Sequence, residues 1–274
     1  MTNFKFRSLA QRDKIGHMVK VAYTSDLHIE FLVANLQEKH NREFSSQEAA
    51  EMFCAELDKV KCNFAVVAGD TSHCVADTIL FFSEINKRIR KPIYVVLGNH
   101  DYWNWQSSLV RQKYEERPYQ IETIEEQCKA EFAKFKKMKL LIAGDKYIQD
   151  CITVIGDCGF AAYNHKFNCR SGIYRNTLRD WHKEIELTKR WVEFFESVAF
   201  NGGKTLIITH NSPTDWGCDY EQKDDNRYYI FGHVHDIDAR TCTGVEIIKK
   251  DNYYGDAANG YDKSEIEFKV LETK

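Results

Sequence analysis

The stretch Ile93-Tyr-Val-Val-Leu-Gly-Asn-His-Asp101 decides the fold class of this chain. Its first five residues form a continuous apolar run rich in β-branched side chains, which is typical of a buried strand. Asn99, His100 and Asp101 follow that run after a single glycine, Gly98, and all three have side chains that bind metals or protons. The stretch therefore predicts a buried strand with polar, chemically active residues at its carboxyl end.

Four other short motifs place similar residues after apolar runs. They are Ser25-Asp26-Leu27-His28, Gly69-Asp70, Thr209-His210-Asn211 and Gly232-His233-Val234-His235. Amphipathic helical segments separate the first three predicted strands, so strands and helices alternate. This pattern predicts an α/β fold whose polar residues lie in the crevice beyond the carboxyl ends of the strands.

The remaining elements follow from periodicity and capping signals. We predict strands at 18–26, 64–68, 93–97, 140–143, 151–155, 204–208 and 227–231, with closing antiparallel strands at 244–248 and 265–270. Two helices are expected to begin at caps, one at the capping box of Ser45 and Glu48 and one at Asp77. Two more are expected within the charged stretch 107–138 and over 177–200, and a polar loop is expected at 35–44.

Composition restricts the class of protein. The chain has 274 residues, a formal net charge of −3 and nine cysteines. The near-neutral charge gives no electrostatic footprint for nucleic acid or anionic membranes, and no apolar stretch is long enough to span a bilayer. No apolar signal core or Cys-x-x-Cys pair is present. We therefore expect a cytoplasmic protein with an N-terminal extension, residues 1–17, and a single domain, residues 18–274.

The polar motifs together supply ligands for two divalent ions, with one histidine left over for chemistry. Asp26 and His28 occupy alternate positions, Asp70 can come close to a metal because Gly69 allows a tight turn, and Asn99 offers a carbonyl oxygen. Imidazole nitrogens come from His210, His233 and His235. Mixed imidazole and carboxylate ligands suit Mn, Fe, Zn or Co more than Ca.

His100 is the histidine left over for chemistry. A histidine beside two metal ions can protonate a leaving oxygen or stabilise the charge of the transition state. Its neighbour Asp101 is a candidate to orient the imidazole. The expected reaction is hydrolysis of a phosphoester by metal-activated hydroxide, since paired metal ions clamp phosphate and activate water.

These motifs, in this order, resemble the calcineurin-like metallophosphoesterase superfamily over roughly Val19 to Tyr261. The resemblance implies a four-layer sandwich of two mixed β-sheets flanked by helices. It also implies roles by position. Asp26, His28 and His235 would bind the first metal, and Asn99, His210 and His233 the second. Asp70 would bridge the two metals, and His100 would be the catalytic histidine.

The residues after Asp70 depart from one branch of that superfamily. Protein Ser/Thr phosphatases continue with an arginine that grips the phosphate, whereas this chain reads Asp70-Thr-Ser-His-Cys74. The segments 25–31 and 258–261 are more similar to the small bacterial and phage phosphoesterase branch. We therefore expect a phosphodiesterase acting on a nucleotide or another small phosphoester.

Substrate contacts are predicted at two places. Tyr102 and Trp103 follow His100 and can stack on a nucleobase, although packing beneath the loop is the alternative. Arg170 and Arg175 lie in an aperiodic stretch and can bind a phosphate, although a solvated surface position is the alternative.

Other functions remain open at this point. A manganese-dependent DNA or RNA nuclease is less favoured because the chain is short and slightly acidic. A phosphomonoesterase or protein phosphatase is less favoured because the arginine is missing. A non-catalytic interaction module is least favoured because the ligand set is complete.

Overall fold

The computed structural model describes residues 18–103, 121–160, 181–198, 203–211, 213, 216, 226–233, 253–255 and 263–273. Within these ranges the chain forms ten strands and six helices, and the strands assemble into two sheets. Over the same ranges, no helix combines the length and the apolar character needed to cross a membrane. The predicted extension 1–17 lies outside the described residues.

The first sheet has the strand order β10-β1-β2-β3-β4. Its parallel strands are β1 (Val19–Thr24), β2 (Phe64–Ala68), β3 (Ile93–Val96) and β4 (Met138–Leu140), and β10 (Lys269–Thr273) pairs antiparallel with β1. The register places Thr24 opposite Val67 and Ala68 opposite Val96. The carboxyl ends of β1, β2 and β3 therefore lie side by side.

The second sheet has the order β5-β6-β7-β8-β9. Its strands are β5 (Lys146–Gln149), β6 (Ile152–Asp157), β7 (Thr205–Thr209), β8 (Arg227–Phe231) and β9 (Tyr253–Gly255). β5 is antiparallel to β6, whereas the other pairs are parallel. Both sheets are thus mixed, and each has its one antiparallel strand at an edge.

Four layers result from the way the two sheets pack. The outer face of the first sheet is covered by α1 (Ile29–His40), α2 (Ser46–Lys59), α3 (Val75–Arg88) and α5 (Ile121–Phe132), and the outer face of the second by α6 (Trp181–Ser197). Between the sheets, Val66 and Val96 of the first pack in one buried cluster with Val154 and Ile208 of the second. This confirms the predicted sandwich of two mixed sheets flanked by helices.

Several predicted elements are present, and their local signals explain why. The capping box that begins α2 is complete: Glu48 N donates to Ser45 Oγ at 3.2 Å, and Ser45 N donates to Glu48 Oε2 at 2.9 Å. Such a box satisfies two backbone donors that the first helical turn leaves unpaired. The helix predicted over 177–200 is α6, and the apolar runs before Gly69, Asn99 and His210 are β2, β3 and β7.

Two predictions about the first helices were wrong. Residues 35–40, expected as part of a polar loop, belong to α1, which buries Leu32, Val33 and Leu36 at helical spacing. The loop was predicted because residues 37–43 are all polar, whereas the apolar residues at helical spacing before them are few. Asp77 does not cap α3, because that helix begins at Val75 with Cys74 as its N-cap. Asp77 lies instead in the first turn, where a negative charge interacts favourably with the helix dipole.

Strand predictions failed at the sheet edges. The strands β5 and β9 were not predicted, since they have four and three residues and leave almost no periodic signal. β4 begins two residues before the predicted 140–143, and β10 begins four residues after the predicted start at 265. The strand predicted at 244–248 lies outside the described residues.

Candidate active site

Five strand ends converge where the two sheets meet. Asp26, Asp70 and Asn99 follow β1, β2 and β3, and His210 and His233 follow β7 and β8. Contacts across the sheets hold these ends together: His210 Nδ1 lies 2.9 Å from the carbonyl oxygen of Ala68, and His233 N donates to Asp26 Oδ1 at 3.1 Å. The structure therefore brings together most of the predicted site residues, namely Asp26, His28, Asp70, Asn99, His100, His210 and His233.

Backbone strain is concentrated in these residues. Asp26, His28, Asp70 and His233 have φ angles of 54°, 38°, 52° and 74°, in the left-handed region that residues with a Cβ rarely adopt. Each such residue costs on the order of 1 kcal/mol or more, and this strain is tolerated where the surroundings fix the conformation. The positive φ angles turn these side chains towards one another immediately after each strand.

Two glycines allow the ligand loops to approach closely. A Cβ on Gly98 would lie 2.1 Å from Asp70 Oδ1, and a Cβ on Gly232 would lie 2.7 Å from Asp26 Oδ2. Both distances are far below van der Waals contact, so a side chain at either position would displace a carboxylate. The glycines in the Gly-Asn-His-Asp and Gly-His-x-His motifs thus make room for the carboxylates of other motifs.

Three atoms of metal-ligand type converge at one end of the cluster. Asn99 Oδ1 lies 2.9 Å from His210 Nε2 and 3.0 Å from His233 Nδ1, and the two nitrogens are 3.2 Å apart. Ligands that share one ion at about 2.1 Å in an octahedral arrangement are roughly 3 Å from each other. The spacing of these three atoms matches what a single divalent ion requires.

Asp70 belongs to two overlapping groups of metal-ligand type. One group contains Asp70, His210 and His233, and the other contains Asp26, His28 and Asp70; within each, the ligand atoms lie within 4.8 Å of one another. Asp70 Oδ2 is 3.2 Å from His210 Nε2 and 3.8 Å from His28 Nε2. A carboxylate in this position can bind two ions at once, which is the arrangement that a binuclear site needs.

Opposing electrostatic effects act on Asp70 and His210, which are both fully buried. Burial acts to raise the pKa of Asp70, but the imidazoles of His210, His100 and His28 outweigh it and hold this pKa well below the ordinary value. Burial acts to lower the pKa of His210, but Asp70 outweighs it and raises this pKa to about 9. A proton on His210 therefore balances the Asp70 charge, and a divalent ion can take its place.

His100 lies beside this cluster and contacts a second histidine. Its Nε2 is 3.8 Å from Asp70 Oδ2, and its Nδ1 is 2.5 Å from His73 Nε2. Burial is the main cause that holds the pKa of His100 well below its ordinary value and lowers the pKa of His73 to about 3. Both imidazoles are consequently uncharged at neutral pH.

Glu30 lies behind His73 and completes this buried line of polar side chains. Its Oε1 is 3.0 Å from His73 Nε2, and burial raises its pKa to about 8. Neither Glu30 nor His73 is among the site residues predicted from the sequence. The available signals were the position of Glu30 two residues after His28 and that of His73 three residues after Asp70.

The carboxylate of Asp101 is buried and accepts hydrogen bonds from two neighbouring loops. It accepts hydrogen bonds from Gly98 N at 2.8 Å, Ser72 N at 3.2 Å and Thr78 Oγ1 at 2.9 Å. Asp101 thus joins the loop after β2 to the loop after β3. The orienting role of Asp101 towards His100 stays a prediction, and the described contact to His100 Nδ1 comes from His73.

The predicted substrate residues have different positions. Tyr102 is buried, packs on Phe160 with ring centroids 5.3 Å apart, and donates a hydrogen bond to Glu125 at 3.2 Å. These contacts favour the alternative that Tyr102 packs beneath the loop. Trp103 ends the short helix α4 (Asn99–Trp103), but its side chain is not described. Arg170, Arg175 and the predicted ligand His235 lie outside the described residues.

Comparison with known families agrees with this geometry. The sequence model of the calcineurin-like phosphoesterase family matches residues 19–236, and no curated protein matches the chain. The matched region contains every motif that forms the site. The chain belongs to the calcineurin-like phosphoesterase family. Together with the clustered Asp and His ligands, this membership makes it a metal-dependent phosphoesterase.

Proposed function

We propose that this protein is a binuclear phosphodiesterase that hydrolyses a small phosphoester such as a nucleotide derivative. The position of Asp70 in both ligand groups is the observation that carries the proposal. Two divalent ions held by these groups would activate water and offset charge on the phosphate. The donor set suits a transition metal such as Mn, Fe, Zn or Co, because it combines imidazoles with carboxylates.

The side chains of the chain have distinct roles in this proposal. Asp26 and His28 would hold one ion, Asn99, His210 and His233 the other, and Asp70 would bind both. His100 would direct its Nε2–H at the leaving oxygen and stabilise the negative charge that develops there. The uncharged state of His100 suits this role, because a neutral imidazole donates one hydrogen bond without competing with the metal ions for the site.

Preference for a diester is supported by the turn that follows Asp70. Thr71, Ser72, His73 and Cys74 are all buried, and none carries a permanent positive charge. A phosphomonoester is a dianion and gains more from an arginine at this turn than a diester, which is a monoanion. The partner we propose is therefore a small phosphodiester, with nucleic acid less favoured.

A comparison of two synthetic substrates tests this proposal. Metal-reconstituted protein should hydrolyse bis(p-nitrophenyl) phosphate faster than p-nitrophenyl phosphate, and Asp70→Asn supplies the inactive blank. Equal or faster turnover of the monoester would refute the diester preference. If the wild-type protein hydrolyses neither substrate, the assignment of the site as a phosphoesterase is refuted. Labelled DNA, assayed with Mn²⁺ in parallel, would reveal a nuclease.

A further inference from the structure

We propose that His28, His73 and His100 form an alternative binding position for a zinc ion, and that zinc bound there inhibits the enzyme. This inference rests on the proposed function, because it concerns the regulation of that same site. It goes further by assigning a metal-binding role to His73, which is not among the predicted ligands. The three residues are called the three-histidine group below.

The three imidazoles converge on one another beyond the ends of β1, β2 and β3. All three side chains are buried, and one nitrogen from each ring lies within 4.8 Å of a nitrogen from each of the others. His73 Nε2 is 2.5 Å from His100 Nδ1, and the ring centroids of His28 and His100 are 4.7 Å apart. Nitrogens bound to one zinc ion at 2.0–2.1 Å are roughly 3.3 Å apart. Small ring rotations would therefore place one ion among these nitrogens.

Glu30 provides an independent indication of a cation at this place. Its side chain is buried, with Oε1 3.0 Å from His73 Nε2. Neither carboxylate oxygen accepts a well-formed hydrogen bond within the described part of the chain. A buried polar group without such a partner is costly, and a bound ion is one way to satisfy it. A cation held by His73 would lie beside this carboxylate, which makes Glu30 the candidate fourth ligand.

The ligands of this position favour zinc over manganese. Three imidazoles and one carboxylate suit a four-coordinate zinc ion, and manganese has the lowest affinity for such ligands among the first-row divalent ions. The binuclear site offers more oxygen ligands, from Asp26, Asp70 and Asn99. We therefore expect manganese to occupy the binuclear site alone, whereas excess zinc also competes for the three-histidine group.

Zinc in the three-histidine group would interfere with catalysis through two of its ligands. In the proposed function, His28 binds the first ion of the binuclear site and His100 acts on the leaving oxygen. Both imidazoles would be diverted from these tasks by a zinc ion bound to His73. Competition for shared ligands therefore links the concentration of zinc to the rate of turnover.

Zinc inhibition of the manganese-loaded enzyme tests the proposal, with each variant compared to its own activity without zinc. In His73→Ala, the zinc concentration that halves activity should rise by roughly tenfold or more, since losing even an outer-shell partner weakens metal binding 10–100-fold. Phe31→Leu should match the wild type, because Phe31 packs 5.5 Å from the His73 ring and offers no ligand. Equal inhibition of wild type and His73→Ala would overturn the proposal, as would a wild type that excess zinc does not inhibit.

A pair of variants on α1 tests the contribution of Glu30. Glu30→Gln removes the buried charge beside His73 and should raise the half-inhibitory zinc concentration, though less than His73→Ala does. Glu38→Gln removes an exposed charge from the same helix and should leave this concentration unchanged. If the two variants respond alike to zinc, Glu30 is not a ligand in this position.

Metal content decides the proposal without relying on turnover. Asp70→Asn removes the ligand shared by both groups of the binuclear site but keeps the three-histidine group. After reconstitution with zinc and removal of excess ions, the double variant Asp70→Asn with His73→Ala should contain one zinc ion fewer per chain than Asp70→Asn alone. Equal zinc content would overturn the proposal. If the wild type hydrolyses no phosphoester, the proposed function fails while this comparison still decides the zinc position.

Discussion

Two charged clusters in this molecule balance their charges in different ways. One is the metal-ligand cluster of Asp26, Asp70 and the histidines described above. The other, called here the arginine cluster, consists of Arg190, Glu125 and Asp157. Arg190 binds Glu125 with two hydrogen bonds of 2.8 and 3.1 Å and lies 3.6 Å from Asp157 Oδ2. The arginine cluster therefore contains a permanent cation, whereas Asp70 is balanced by a removable proton on His210.

The two clusters also differ in backbone conformation. Glu125 and Arg190 lie within α5 and α6, and Asp157 ends β6, all at negative φ. Four metal-ligand residues instead have positive φ, and glycines make room for their carboxylates. The arginine cluster joins regular elements and stabilises the fold. The metal-ligand cluster is strained and holds its charge balance through a removable proton, which are properties expected of a site that binds cations.

Substitution of Asp70 should give the largest loss of activity, because it alters the metal-ligand cluster and leaves the arginine cluster unchanged. Asp70→Asn removes the one ligand shared by both groups, so we expect kcat/KM to fall by on the order of 10³-fold or more. Asp157→Asn is the matched control in the arginine cluster and should keep its metal and its activity. Steady-state assays on both variants provide the measurement. An active Asp70→Asn protein would contradict the role assigned to this carboxylate.

Gly98→Ala should be the next most damaging change. The added Cβ would lie 2.1 Å from Asp70 Oδ1 and 2.3 Å from Asp70 N, so the two loops must separate. We expect roughly a 10–100-fold loss of activity, similar to losses seen when metal ligands are displaced indirectly. Gly203→Ala is a suitable control, because its Cβ would meet no atom within 4 Å. Comparable activity in the two variants would show that the close approach is unimportant.

Substitution of Arg190 should destabilise the fold without changing the chemistry. Arg190→Met leaves Glu125 and Asp157 without their cation, and we expect a loss of about 2–3 kcal/mol in the free energy of unfolding. This estimate is below the range for fully buried pairs because the Arg190 side chain is 36% exposed. The control Arg42→Met removes the exposed pair with Glu48 and should lower the free energy of unfolding much less than Arg190→Met does. Urea unfolding of both variants would measure the difference.

The pH dependence of Asp157 should give the smallest effect. Burial, partly opposed by Arg190, raises the pKa of Asp157 to about 6 in the folded protein. The folded state therefore binds the extra proton, so the stability contributed by this carboxyl is largest below pH 4 and declines as pH rises to about 6. Asp157→Asn lacks this dependence. The free energy of unfolding of the variant, measured relative to that of wild type, should rise by roughly 1–2 kcal/mol between pH 4 and 7. A difference in free energy of unfolding that stays constant with pH would contradict the raised pKa of Asp157.

The metal-ligand motifs could be predicted from the sequence because each is a local pattern. An apolar run followed by Asp, Asn or His identifies a strand end, and parallel strands bring such ends to one edge. The approach of Glu30 to His73 could not be predicted in this way. Glu30 and His73 are 43 positions apart, and they meet only because α1, a helix that the sequence pattern does not predict, packs beside the loop after β2. The positions of Asp101 and Tyr102 likewise depend on tertiary donors and packing.

Metal stoichiometry tests the central claim most directly. Protein stripped of metal, reconstituted with Mn²⁺ and freed of excess ions should contain two ions per chain, because Asp70 joins two ligand groups. Asp70→Asn, treated identically, should contain one ion or none. A wild-type protein that binds a single ion, or an Asp70→Asn variant that still binds two, would contradict the bridging role of Asp70 and the binuclear site built on it.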